Sequence, residues 1–171
     1  NVAYKAIKRL RKKYPVYYLP IAILGHDAKH NIEIKKLYFY EHSISSSIYD
    51  RGRPIDESKS TVCASMKFGT LWDKLNNESI INDRDTFILR MNCEGSELGV
   101  ISECKVKELN PLCIIGSLGD VLKIHGKDAD NKVMSLLESM GTPYYYFKGE
   151  DPGTWFNLIN SWKEHTDQFK T

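Results

Sequence analysis

Two polar side chains, Asn92 and Glu94, follow directly on the apolar run Phe87–Met91, and Gly95 and Ser96 lead from them into a helical pattern. Polar groups at the carboxyl end of a buried strand stand where open α/β sheets hold their ligands. A carboxylate there can accept a proton, and an amide can orient a hydroxyl through hydrogen bonds. Gly95 allows positive φ or close approach of the backbone to a ligand. The plainer reading of the same residues is a strand-to-helix turn, with Ser96 as cap and Glu97 and Glu103 as solvated charges.

The elements that must position these groups can be read from periodicity. Ala3, Ala6, Ile7, Leu10 and Tyr14 predict a helix over 2–14, whose opposite face carries Lys5, Lys8, Arg9, Arg11, Lys12 and Lys13. Pro15 ends it, and residues 16–24 read as a buried strand with Pro20 near an edge or bulge. Gly25-His26-Asp27 is a turn. Ile32, Ile34, Leu37 and Phe39 predict a second strand over 31–40. Residues 41–60 read as a long polar loop, the kind that is often functional. A short strand over 61–66 and a short helix capped by Thr70 follow. Next come a strong strand over 86–91, a helix from Ser96 to Lys107 and a strand from Leu112 to Ile115. A helix from Asp128 to Met140 ends at Gly141. An aromatic strand over 143–148 and a terminal helix from Pro152 to His165 complete the chain. This alternation predicts a single α/β domain over residues 1–171 with a mainly parallel sheet.

Composition fits an ordinary globular chain of 171 residues, 42% apolar and 27% charged. Lys and Arg number 24 against 22 Asp and Glu, so the net charge of +2 calls for no polyelectrolyte partner. No apolar run reaches the length of a membrane span, and the start carries no signal-peptide pattern. Cys63, Cys93, Cys104 and Cys113 have no zinc-site spacing. They predict four reduced thiols and a cytoplasmic location.

The stretch Phe87-Ile88-Leu89-Arg90-Met91-Asn92-Cys93-Glu94-Gly95-Ser96-Glu97-Leu98 resembles the signature of the FkbM-type S-adenosylmethionine-dependent methyltransferases. That pattern runs from an apolar strand through Lys-Ile-Asp-Val-Glu-Gly-Ala-Glu into an apolar helix. Ile21–Asp27 looks like the family's third strand and turn, Ser45-Ser46-Ser47 like its serine-rich stretch, and Thr70–Leu75 like its Leu-Asp-x-Leu helix. The likeness covers roughly residues 1–116. Arg90 and Asn92 stand at the family's Lys and Asp, so the charge at position 92 is lost while a hydrogen-bonding side chain remains.

The resemblance implies a Rossmann-like methyltransferase sheet, mainly parallel, three-layered and N-terminally incomplete. The glycine-rich cofactor loop and the acidic ribose ligand would belong before the helix at 2–14. The strands at 16–24 and 86–91 would then lack the neighbours that bridge them, as in a fragment or in a relative with altered pairing. S-adenosylmethionine is the implied cofactor, held by Asn92, Ala22, Ile23 and Gly95. Glu94, Asn92 and His26 are the implied catalytic residues, and Arg90, His42 and Trp155 the candidates for contacting the acceptor, a sugar or small-metabolite hydroxyl.

Two further readings belong to other classes. A non-catalytic relative would use the same fold for binding or assembly. An RNA-binding module would use the basic face at 5–13, although no stacking platform accompanies it. The segment Gly116–Lys127 is not a Walker loop, because Asp128 follows its Gly-Lys, and it reads as a rim of the site.

Overall fold

The computed structural model describes residues 8, 11–12, 19, 21–40, 46–52, 54–59, 61–82 and 86–146. The elements in chain order are β1 (Ala22–Ile23), β2 (Ile32–Phe39), β3 (Ser46–Ser47), β4 (Thr61–Met66), α1 (Phe68–Asn77), β5 (Ile88–Met91), α2 (Glu97–Val106), β6 (Cys113–Gly116), α3 (Gly119–His125), α4 (Lys127–Met140) and β7 (Tyr144–Tyr146). A short 3-10 turn occupies Glu57–Lys59.

The expected alternation holds best in the second half. Strands β5, β6 and β7 pair side by side, all parallel, in that order. Helix α2 links β5 to β6, and α3 and α4 link β6 to β7, as parallel pairing requires. Apolar residues surround α2, and Leu98, Val100, Ile101 and Cys104 are all buried. It packs between α1 and α4, where Trp72, Val133 and Leu137 join Met91 and Ile114 in one core. Gly141 closes α4 in the left-handed conformation, as its position in the sequence predicts.

The first half departs from a single parallel sheet. Strand β1 runs parallel to β4, but β4 pairs antiparallel with β2 from Ile32↔Met66 to Leu37↔Thr61, and β2 pairs antiparallel with β3. The described strands therefore form two sheets, one mixed in the order β1-β4-β2-β3 and one parallel. Of the four apolar residues that predict β2, Leu37 and Phe39 are half-buried and the other two are not. Ile32 and Ile34 are exposed, while Glu33 and Lys35 turn to the other face and pair at 2.7 Å. The register fixes this, because Ile32 and Ile34 share a face with Met66 and Ala64 of β4.

Smaller differences have local causes. Helix α1 begins at Phe68, so Thr70 is inside it and Lys67 stands at the cap. The glycine-rich rim folds in part as α3, a short helix that sequence periodicity over so few residues does not reveal. The loop at 41–60 contains β3, a bridge from Tyr40 to Ile55 and the 3-10 turn. Of the strand expected over 16–24, Ala22–Ile23 is strand, and the described Leu19, Ile21 and Leu24 are not. The expected helix at 2–14, apart from isolated positions, and the terminal helix lie outside the described residues. Among the described residues no helix is long and apolar enough to cross a membrane.

Candidate active site

The carboxyl ends of β1 and β5 come together although the two strands belong to different sheets. The Ser96 hydroxyl donates to the Ile23 carbonyl at 2.7 Å, joining the start of α2 to β1. The Ser47 hydroxyl donates to the Glu94 carbonyl at 3.0 Å, joining β3 to the turn after β5. Helix α2 meets the turn after β1 almost backbone to backbone. A Cβ on Gly99 would come within 2.7 Å of the Gly25 carbonyl carbon and 2.8 Å of the His26 nitrogen.

Glu97 organises the turn between β5 and α2. Sequence reading makes it a solvated charge; it is 1% exposed. Its two carboxylate oxygens accept hydrogen bonds from the Cys93 and Gly95 N–H groups, each at 2.8 Å. Burial pushes its pKa up, and the two N–H donors oppose that shift. The turn they hold is strained: Glu94 has φ 53° and Gly95 φ 114°. Left-handed backbone at a non-glycine residue such as Glu94 costs energy that the surrounding bonds must offset.

Around Glu94 the structure builds a cluster of opposite charges. Arg51 reaches in from the segment after β3 and pairs with Glu94 through one guanidinium nitrogen. The other nitrogen lies 2.7 Å from Asp120 at the start of α3. The Arg51 side chain is only 7% exposed and also lies over the Tyr40 ring, at 5.6 Å. Lys123 approaches Asp120 at 3.7 Å. Desolvation, the hydrogen bond with Asp120 and the charges of Asp120 and Glu97 push the Glu94 carboxyl up to about 7, against the pull of Arg51. Desolvation also raises Asp120, but its bond with Glu94 and the charges of Arg51 and Lys123 outweigh it and hold that carboxyl low. Of the two carboxyls, Glu94 is therefore the one that takes up a proton first as the pH falls.

Aromatic rings complete one side. Tyr49 packs edge-on against His125 at 4.9 Å between ring centres, and His26 packs edge-on against the same ring at 4.7 Å. The Tyr49 hydroxyl donates to Asp27 at 2.6 Å, and its carbonyl accepts from Tyr40 at 2.7 Å. His125 Nε2 lies 2.9 Å from the Gly95 carbonyl oxygen. Partial burial and the neighbouring His125 and Lys132 lower the His26 pKa, against an upward pull from Asp27.

A cavity of about 510 Å³ opens beside this cluster. Ile21, Ala22, Ile23, Leu37, Ile48 and Cys63 form much of its apolar wall, and Ser46, Ser47, Asn92 and Glu94 supply polar groups. Its size lies within the range of small-molecule sites. Cys93 also lines it, with a thiol that burial pushes up to about 12, so at neutral pH that thiol is not a nucleophile.

The sequence-derived candidates divide accordingly. Ala22, Ile23, Asn92 and Glu94 line the cavity together. Asn92 is exposed there. Gly95 does not line it: it is buried against Ile124 and Tyr49, and its role is in the turn. His26 stands next to His125 on the far side of the turn rather than on the cavity wall. Arg90 is an exposed residue of β5, on the face shared with Ile88 and opposite Leu89 and Met91. His42 and Trp155 lie outside the described residues. Sequence reasoning missed Arg51, Asp120, Tyr49 and His125, which converge from separate segments. The one available signal was their place in polar, glycine-containing loops between predicted elements.

No family model, curated protein or solved structure matches the chain.

Proposed function

We propose that the chain is a methyltransferase-like α/β domain with a Rossmann-like relation between β1, β5 and β6, binding S-adenosylmethionine and an acceptor hydroxyl in the cavity beside Glu94. The observation that supports this most is the meeting of Ala22–Ile23 and Asn92–Glu94, at two strand ends, around one apolar cavity. The fit is favourable in volume and wall: apolar side chains suit a purine face, and Asn92 can hydrogen-bond a hydroxyl or an amino group. S-adenosylmethionine held there would supply an electrophilic methyl group for an acceptor oxygen. In its ionised form Glu94 would take the hydroxyl proton; a carboxyl raised to about 7 is suited to proton transfer near neutral pH. Arg51 and Asp120 hold that carboxyl in place. The acceptor is a small hydroxyl compound or sugar.

The engagement of Glu94 with Arg51 favours a second reading, in which the same cavity binds a ligand without turning it over. Glu94→Gln separates the two. Under the catalytic reading ligand binding persists and methyl transfer falls by about 10²-fold or more, as loss of a general base does. Transfer at the wild-type rate removes Glu94 from the reaction.

A further inference from the structure

A second, smaller cleft is lined in part by the Gly25–His26 turn and shares no lining residue with the cavity beside Glu94. It holds about 160 Å³ and is bounded by the turn after β1, by Lys67 ahead of α1, by Ser102 and Glu103 of α2 and by Lys132 of α4. Three features mark it out. It gathers His26, Lys67 and Lys132 from three separate elements. Neither lysine forms an ion pair among the described residues. The Ser102 hydroxyl is buried with no hydrogen-bond partner, an unmet donor in the cleft wall.

The acidic residue in the wall is Glu103. Its carboxylate packs against the Cα side of Gly69 in α1, where an added Cβ would collide with Oε2. The two lysines outnumber it, so the cleft carries net positive charge. We propose that this cleft is an oxyanion site for a phosphate-type group, whose oxygens Lys67, Lys132 and the Ser102 hydroxyl would contact. A phosphate group accepts several charge-assisted hydrogen bonds at once and fits a space of this volume. The site is distinct from the cavity beside Glu94 and does not depend on the methyltransferase reading.

His26 connects anion binding to pH. It is flanked by Lys132 from α4, His125 from α3 and Asp27 from its own turn, with Lys67 and Glu103 across the cleft. Its depressed pKa reflects partial burial and the repulsion of His125 and Lys132. A bound anion would offset that repulsion and favour the imidazolium, so affinity rises as pH falls through the His26 titration.

The test is an NMR titration of the full chain with inorganic phosphate, near pH 6 and near pH 8, with glycerol phosphate as a parallel arm. The expected result is saturable shifts of the Gly25, His26, Gly99 and Ser102 amides. Binding of sulfate, a third arm whose charge is constant between these two pH values where phosphate itself titrates, is several-fold tighter at the lower pH; phosphate binding is about tenfold weaker in the double variant Lys67→Gln and Lys132→Gln, and about threefold weaker in Ser102→Ala. Tighter binding of glycerol phosphate assigns the site to a phosphomonoester, and tighter binding of inorganic phosphate to the free ion. Shifts that spread over other lysines, or binding unchanged in the double variant, would overturn the proposal. The lysine variants leave the apolar core untouched, and S-adenosylhomocysteine binding measured alongside stays unchanged in them, so failure here is separable from failure at the cavity.

Discussion

The most constrained side chain in the site is Glu97, a carboxylate buried inside the turn it organises. Replacing it with Ala leaves the Cys93 and Gly95 N–H groups without acceptors and should destabilise the fold by about 2–3 kcal/mol. Urea unfolding measures this directly, and Glu97→Gln should recover only part of the loss, since its amide oxygen can accept but its NH2 faces a donor. Glu94 behaves differently because its pKa is raised. Its folded pKa, about 7, lies above the ordinary 4.5, so its protonated form contributes stability that is complete below about 4.5 and is lost as pH rises to about 7. Asp120 has the opposite sign: its depressed pKa contributes stability above its ordinary value of 3.8 and loses it as the solution acidifies below that. Carbon-13 titration of the Glu94 carboxyl should show a midpoint near 7 that moves down in Asp120→Asn, where the neighbouring charge is gone. An unmoved midpoint would remove Asp120 from the account. Of these residues the sequence marked Glu94, because it follows an apolar strand. It left Glu97 looking solvated, because burial of a carboxylate depends on two N–H groups that only the folded turn supplies.

At the scale of elements, β5, its turn and α2 were legible because a buried strand followed by Asn-x-Glu-Gly allows few other local structures. The helix ending at Gly141 was legible through its cap. Helix α3 was not, being seven residues long and opened by glycine. Nor was the facing of β2, since its alternation specifies two faces but not which is covered; pairing with β4 decides that. A close backbone-to-backbone joint between elements is Gly99 on Gly25, which sequence spacing does not disclose. Gly99→Ala would put a methyl 2.7–2.8 Å from the Gly25 and His26 backbone and should cost roughly 1–3 kcal/mol. Because the displaced partner is the turn that carries His26, the amide signals of Gly25–Ala28 should shift with it. A variant of wild-type stability with an unchanged spectrum would show that the contact is not close.

At the scale of the molecule, the described strands form two sheets where a single parallel one was expected, and β1 and the turn after β5 meet through a side-chain hydrogen bond instead of a shared ladder. Ser96 to Ile23 ties the start of α2 to β1, and Ser47 to Glu94 ties β3 to the turn after β5. Ser96→Ala should therefore cost about 1 kcal/mol globally. It should also raise amide exchange selectively in β1 and in the turn after it, leaving β6 and α4 protected. Uniform exchange across both sheets would mean that the joint is not local. Such long-range pairings arise from which loops fold back on which strands, and the local pattern of a single sequence records them weakly.

The cavity between those strand ends is the centre of the account, and titration calorimetry of S-adenosylhomocysteine into the chain tests it most directly. The account predicts saturable one-to-one binding that weakens by about tenfold or more in Ala22→Phe, whose ring would occupy the apolar wall. A folded chain that takes up no ligand, or that binds equally well with the wall filled, would contradict it.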